Sequence, residues 1–176
     1  DLPAVVEPVV NAFRENAAAK GLEFIVDIDP DLPATLAGDP VRIRQILYNL
    51  VGNAIKFTEQ GQVKLEIHNL GRPDDAGRHH VHIVVTDTGP GFPDEQLEHL
   101  FDSFTQADGA LSRLHGGAGL GLSIVKRLVD LMGGAITVDT EPGQGSAIHL
   151  SLRLGFQAEA LPVPAGDKKH SPATGD

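Results

Sequence analysis

The sequence predicts an α+β domain, a two-layer sandwich in which a mixed, mostly antiparallel sheet of about five strands packs on three helices. Residues 62–68 alternate apolar and polar side chains, which is typical of a half-buried strand. Strands at residues 135–140 and 146–154 are separated only by a glycine-rich turn, and this spacing predicts a hairpin. Apolar side chains recur at helical spacing in three segments, residues 2–20, 40–57 and 120–132.

The other elements follow from local patterns. Gly21 ends the first helix, residues 23–29 form a strand, and residues 30–39 contain two prolines and form a loop. Asp39 before Pro40 favours a helix start, because Asp caps free N–H groups and Pro suits the first turn. A polar turn, an apolar strand, a break, a short helix and a long loop are expected at residues 69–78, 81–86, 88–91, 94–100 and 101–119.

Composition bounds the domain and its class of function. From residue 157 onward Pro, Ala, Gly and Ser dominate, so we expect a domain at 1–156 and a disordered linker at 157–176. The net charge of −10 argues against non-specific nucleic-acid binding, and the absence of cysteine excludes disulfides and thiol chemistry. No apolar run approaches the roughly 18 residues of a membrane span, and we expect a cytoplasmic domain, with any anchor in the inner membrane lying elsewhere in the parent protein.

The second helix carries two stripes of side chains. One stripe is ordinary core, formed by Ile43, Ile46, Leu47, Leu50, Val51 and Ala54. The other stripe holds Gln45, Asn49, Asn53 and Lys56, although Asn is a mediocre helix former. A solvated face is the simpler interpretation. The functional interpretation is a metal and phosphate face, because an Asn carbonyl oxygen can ligate Mg²⁺ and a Lys can meet phosphate.

Two glycine-rich segments follow the second helix in sequence. Asp87, Gly89 and Gly91 lie after a predicted strand, where they form either a simple turn or a close-approach loop whose carboxylate accepts an adenine amino group. Residues 116–122 open the third helix with four glycines, as a flexible cap or as an anion site made by free N–H groups. This segment is neither a Walker A loop nor a dinucleotide fingerprint.

The order and separation of these pieces resemble the ATP-binding catalytic domain of sensor histidine kinases, within the GHKL ATPase family. Residues 39–58 resemble the N box, Asp87-x-Gly89-x-Gly91 the G1 box, residues 101–108 the F box, and Gly117-x-Gly119-x-Gly121-Leu122 the G2 box. The resemblance covers about residues 1–155 and implies the Bergerat-type ATP-binding fold. The F box sequence Phe-Thr-Gln-Ala-Asp is typical of hybrid kinases.

The resemblance also implies roles for single residues. It implies that Asn53 ligates Mg²⁺, that Asn49 and Lys56 meet the phosphates, and that Asp87 reads adenine. Arg113 is expected to contact the γ-phosphate. The residues expected to shape the base pocket, the lid and the phosphate site are Gly89, Gly91, Phe104, Gly117, Gly119, Leu120, Gly121 and Leu122.

Asn49 indicates which group accepts the γ-phosphate. ATP-hydrolysing relatives such as the gyrase, Hsp90 and MutL groups place a Glu at this position, four residues before the metal Asn, to activate water. An amide cannot act as that base, whereas a neutral histidine acceptor is already nucleophilic. The resemblance, together with Asn49, therefore favours transfer to histidine over hydrolysis.

The acceptor histidine is expected outside this sequence. In the family it is followed by an acidic residue on a helical hairpin, and none of the eight histidines here is followed by Asp or Glu. We therefore expect three partners: a phosphoacceptor hairpin of the same protein, a dimer formed through it, and a receiver domain or response regulator. This chain is not expected to phosphorylate itself.

Two features keep other functions open. Leu114, His115 and Ala118 replace polar or aromatic residues that are frequent in the lid of hybrid kinases. They favour an alternative, a kinase-like regulator that binds ATP weakly or not at all and acts by pairing with another kinase. The pattern His79-His80-x-His82 suggests a metal site, although exposed histidines entering a strand are the simpler interpretation.

Overall fold

The computed structural model describes residues 1–97, 99–101 and 118–155, with residues 94 and 118–120 described by their backbone. The helices are α1 (Leu2–Ala19), α2 (Pro40–Phe57), α3 (Asp94–Leu97) and α4 (Ala118–Leu131). The strands are β1 (Glu23–Ile28), β2 (Gln62–Asn69), β3 (His79–Asp87), β4 (Ala135–Glu141) and β5 (Gly145–Leu154).

The five strands form one mixed sheet with the order β1-β2-β3-β5-β4. β1 and β2 are parallel because α2 crosses between them, and the other neighbouring pairs are antiparallel. The register of β3 and β5 runs from His79 opposite Leu154 to Asp87 opposite Ser146. The predicted α+β fold, with five strands and three long helices, is therefore confirmed.

One face of the sheet packs against α1, α2 and α4 and forms the core. Alternate strand residues such as Leu65, Ile83 and Leu150 are fully buried there. The apolar stripe predicted for α2 is buried throughout, as expected for a helix whose stripe faces a sheet. Asp39 starts α2 as predicted, since its Oδ1 accepts hydrogen bonds from the N–H groups of Val41 at 3.0 Å and Arg42 at 3.2 Å.

The end of α2 is held by the side chain of Lys20, the residue that directly follows α1. Lys20 Nζ donates hydrogen bonds to the carbonyl oxygens of Ile55 at 2.7 Å and Lys56 at 3.0 Å. These carbonyls belong to the last turn of α2, where helical partners run out. The first helix therefore stabilises the terminus of the second.

The opposite face of the sheet carries polar side chains. Three of them, His68, His82 and His149, lie side by side on β2, β3 and β5, and we call them the histidine band. The ring centroids of His68 and His82 are 6.4 Å apart, and those of His82 and His149 are 5.4 Å apart with nearly parallel planes. Within the described ranges, no three His, Cys, Asp or Glu side chains are grouped closely enough to hold a metal ion, so the metal interpretation of residues 79–82 gains no support.

Several predicted boundaries are corrected. β3 begins at His79 rather than residue 81, because His79 and His80 pair with the end of β5. The last predicted helix starts at Ala118 rather than residue 120, so the loop predicted at 101–119 is too long, and α3 ends at Leu97 rather than residue 100. The linker predicted at 157–176 and most of that loop lie outside the described residues. None of the helices described is long and apolar enough to cross a membrane.

Candidate functional site

A pocket of about 330 Å³ opens between α2, the end of β3 and the turn that joins β4 to β5. Its polar lining is supplied by Asn53, Asp87, Gln96 and Ser146. The apolar lining comes from the core, from Leu50, Ala54, Phe57, Val85, Phe92, Leu122 and Ile148. An apolar cleft with a few polar groups is typical of a small-molecule site, and this volume lies within the usual range of about 300–1,000 Å³.

Asp87 is the charged residue of the pocket. It ends β3, and its Oδ1 accepts a hydrogen bond from the N–H of Gly89 at 2.8 Å. Burial raises the pKa of the Asp87 carboxyl above its ordinary value, although hydrogen bonds from the backbone of Gly89 and Ser146 act in the opposite direction. A half-buried carboxylate held in this way can accept a hydrogen bond from an amino group in the pocket.

The G1-like segment has little room for side chains at its two glycines. A Cβ atom on Gly89 would lie 2.8 Å from Asp87 Oδ1, and one on Gly91 would lie 2.4 Å from the carbonyl oxygen of Glu141. Gly91 also has a φ of +67°, which favours glycine. Two further hydrogen bonds hold the segment against the β4–β5 turn, from Gly143 N to Pro90 O at 2.7 Å and from Phe92 N to Thr140 Oγ1 at 2.9 Å.

The polar stripe of α2 leads away from the pocket. Asn49 Nδ2 donates to the carbonyl oxygen of Gln45 at 2.9 Å, and this bond fixes the side-chain amide. Asn53 Nδ2 is buried and has no hydrogen-bond partner among the described residues. Lys56 is exposed, and its Nζ lies 5.3 Å from the centroid of the Phe57 ring. The stripe is therefore more than a solvated face at Asn53, where a polar atom is withdrawn from water.

The first turns of α4 lie directly against this stripe. A Cβ atom on Gly121 would lie 2.9 Å from Asn53 Nδ2 and 3.3 Å from Asn49 Oδ1. Gly119 and Leu120 belong to the N-terminal turn of the same helix, and Leu122 is buried in the pocket wall. The start of a helix presents free N–H groups and a partial positive charge, so it suits an anion beside the two asparagines.

The structure thus brings Asn49, Asn53, Asp87 and Gly121 to one site, with Gly89 and Gly91 forming its rim. The predicted residues Phe104, Arg113 and Gly117, like the lid residues Leu114 and His115, lie outside the described residues.

Sequence reasoning missed Gln96, Ser146 and the buried Thr58. Gln96 and Ser146 are common polar residues that follow no motif, and only the fold brings them to the pocket. Thr58 directly follows α2, as the sequence predicts, but no sequence pattern indicates that its side chain is buried.

The open mixed sheet with its covering helices is the fold of the GHKL class of domains, and comparison with known proteins agrees. Residues 38–155 match the family model HATPase_c, described as histidine kinase-, DNA gyrase B-, and HSP90-like ATPase, and the chain belongs to this family. Its relatives include sensor protein GacS of Pseudomonas syringae pv. syringae, 45% identical over 94% of this chain and 18% of that protein. The kinase BarA of Escherichia coli K12 is 40% identical over 87% of this chain and 17% of its own length.

Solved structures place the chain close to histidine kinase catalytic domains. It is similar to full-length ShkA in complex with AMPPNP, with a TM-score of 0.73 and 37% identity over 92% of this chain and 32% of that one. The nucleotide-free catalytic domain of ThkA gives a TM-score of 0.69 and 28% identity, with 87% and 94% of the two chains covered. Hybrid sensor kinases are among the relatives, and the chain spans less than a fifth of the length of GacS and BarA.

Proposed function

We propose that this domain binds Mg-ATP in the pocket and donates the γ-phosphate to a histidine of a phosphoacceptor hairpin in two-component signalling. The observation that carries the proposal is the close approach of α4 at Gly121 to Asn49 and Asn53, where even a Cβ would be crowded, next to a pocket that contains Asp87. This arrangement joins an amino-group acceptor, an apolar slot and an anion-binding helix start in one continuous site. The AMPPNP complex of ShkA supports the choice of ligand.

Adenine would occupy the apolar slot, with its amino group donating to Asp87. Guanine carries a carbonyl oxygen at the same ring position, and two acceptors would then face each other. The phosphates would extend along α2 towards Asn49, Lys56 and the start of α4. In this arrangement the base is read at one end and the charge is bound at the other.

The residues present fit a magnesium ion near Asn53. Mg²⁺ prefers oxygen ligands and keeps several waters and phosphate oxygens, so it needs few protein groups. The buried, unpartnered end of the Asn53 amide suits such a site, because oxygen and nitrogen exchange places when the amide flips. When bound, Mg²⁺ would supply positive charge that neutralises the phosphates. Asn53 would hold it, and Lys56 would add a second positive charge.

Asn49 supports phosphotransfer over hydrolysis. Its amide donates to the Gln45 carbonyl, so it is oriented as a hydrogen-bonding group and cannot take a proton from water. The acceptor would instead be a neutral histidine, which needs little help from a base. We place that histidine on the hairpin partner, and we expect a receiver domain or response regulator to take the phosphate onward. The name of one relative, hybrid signal transduction histidine kinase L of Dictyostelium discoideum, supports this expectation.

A thermal titration with Mg-ATP tests the proposal. A ligand that binds only the native state stabilises it by about 2.7 kcal/mol at a hundredfold excess over Kd. We expect a clear rise in Tm for the chain, a much smaller rise for Asn53→Ala, and an unchanged rise for the control Gln45→Ala on the same stripe. The absence of any shift at millimolar Mg-ATP would contradict the proposal and favour the regulator that acts without ATP.

The transfer step needs a separate experiment. Incubation of the full-length protein with γ-labelled ATP should give an acid-labile, base-stable label, as expected of phosphohistidine. The same protein carrying Asn53→Ala should remain unlabelled. Binding of ATP without any labelled product would retain the binding claim and reject phosphotransfer.

A further inference from the structure

Lys20 connects the end of α1 to the end of α2, the helix that carries the polar stripe. Its backbone N–H donates to the carbonyl oxygens of Asn16 at 3.3 Å and Ala17 at 3.1 Å, which fixes the residue as the C-terminal cap of α1. Its Nζ reaches across to the carbonyl oxygens of Ile55 and Lys56. Among the described residues Lys20 makes no ion pair with a carboxylate, so its charge is directed at these two carbonyls.

The two helices are already packed closely before they reach this link. The ring centroids of Phe13 on α1 and Tyr48 on α2 are 5.3 Å apart in an edge-to-face arrangement. A Cβ atom on Gly52 would lie only 3.1 Å from Cζ of Phe13. Because this contact sets the spacing of the helices, the bonds from Lys20 act on the last turn of α2 in particular.

The last turn of α2 lies beside the proposed phosphate site. Lys56 belongs to this turn, and its side chain continues the polar stripe while its carbonyl oxygen bonds to Lys20. The C-terminus of a helix carries a partial negative charge of about half an elementary charge, and this charge repels a phosphate group. An ammonium group on the free carbonyls offsets the charge and holds the backbone from which Lys56 projects.

We propose that Lys20 is a positioning residue for the triphosphate: its ammonium group fixes and neutralises the last turn of α2, so that the phosphates meet Lys56 and Asn53 beside a compensated helix end. The proposal rests on the proposed binding of Mg-ATP and adds to it a residue from outside the pocket. Lys20 does not line the pocket and does not touch the nucleotide. Its effect should therefore depend on phosphate and be absent for a ligand that carries none.

Paired variants and paired ligands test this role. Lys20→Met keeps the length of the side chain and removes its charge and its donors, whereas Lys20→Arg keeps both. The probes are Mg-ATP and adenosine, followed by NMR chemical-shift titration, which also measures weak binding. We expect Lys20→Met to weaken Mg-ATP about fivefold, the size of a favourable charge at a helix terminus, with little change for adenosine. Lys20→Arg should retain the affinity for Mg-ATP.

Lys64→Met is the matched control. It also removes one lysine, but from the face of the sheet opposite to the helices, where Lys64 pairs with Glu66. This variant should bind Mg-ATP and adenosine as the unaltered chain does. A loss of Mg-ATP affinity as large as that of Lys20→Met would mean that net charge alone is responsible, and would overturn the proposal.

Two further results would reject a role for Lys20 in binding phosphate. One is an unchanged affinity of Lys20→Met for Mg-ATP, and the other is an equal loss for Mg-ATP and adenosine, which indicates general damage to the site. If Lys20→Met does not fold, Lys20→Gln and Lys20→Arg give the same comparison, and equal affinities of these two for Mg-ATP would reject a role for the charge. Failure of the unaltered chain to bind Mg-ATP would instead reject the proposed function.

Discussion

The two faces of the sheet carry different kinds of side chain, although the same strands form both. One face meets the helices and combines the core with the pocket, so its residues are constrained by packing and by the shape of the pocket. The other face carries charged and titratable side chains, including the histidine band and the Lys64–Glu66 ion pair. Neighbouring residues of a single strand are therefore expected to contribute very differently to the stability of the domain.

The largest difference is expected for adjacent residues of β2. Leu65 is fully buried beneath the helices, whereas Lys64 points to the other face and is partly exposed. Leu65→Ala should lower the free energy of unfolding by about 2–5 kcal/mol, and Lys64→Ala by about 0.5 kcal/mol or less. Urea denaturation of both variants measures the difference. Similar losses would show that the second face is as tightly packed as the first.

A second comparison concerns two glycines with positive φ. Gly91 forms the pocket rim, where a Cβ would lie 2.4 Å from a backbone oxygen, and Gly143 in the β4–β5 turn has open space. Gly143→Ala should cost about 1–2 kcal/mol from the left-handed conformation alone. Gly91→Ala should cost more and should also reduce the thermal shift with Mg-ATP. Equal stability of the two variants would mean that the backbone around Glu141 makes room for the Cβ at position 91 at no cost in free energy.

Asp87 connects stability with binding on the helix-covered face. Its folded pKa is raised, so the folded state favours the protonated form, and this advantage is lost as pH rises through the folded pKa. Near pH 7 the ionised carboxylate therefore destabilises the free domain. Asp87→Asn should leave the free domain at least as stable at pH 7 while removing most of the shift produced by Mg-ATP. A lower Tm of free Asp87→Asn at pH 7 would contradict this account.

The smallest effect belongs to the histidine band. Burial lowers the pKa of His82, and His149, His68 and His80 lower it further, whereas Glu66 raises it. The folded state therefore disfavours protonated His82, and stability is lost as pH falls from the ordinary value near 6.5 through the folded pKa. His82→Gln should match the unaltered chain at pH 8 and lose less Tm between pH 7 and pH 5. An identical dependence of Tm on pH in the two proteins would show that His82 does not contribute to the loss of stability in acid.

The contrast between the faces also explains what could be predicted from the sequence. The two stripes of α2 were predicted because the period of a helix is a local property, and so was the Asp39 cap. The first residues of β3 were missed because His79 and His80 carry no apolar signal. They become strand residues only by pairing with β5, which lies about seventy positions further along the chain.

The site was predicted as separate pieces, and the resemblance joined them. The sequence indicated that Asn53 and Gly121 matter, but their close approach depends on how α4 returns across α2. The burial of Thr58 depends on the same tertiary packing and on the missing side chain at position 89. No pattern along the chain encodes such an enclosure, because its walls come from segments as far apart in sequence as residues 54–58 and 87–89.

The hydrogen bonds from Lys20 to the last turn of α2 have a practical consequence for domain boundaries. The family match begins at residue 38, yet the side chain that holds the end of α2 belongs to Lys20, directly after α1. A recombinant fragment trimmed to the match would lose α1, β1 and this tether together, and would expose the apolar surface that α1 covers. Expression designs for this domain should therefore begin at or before residue 1 of the present sequence.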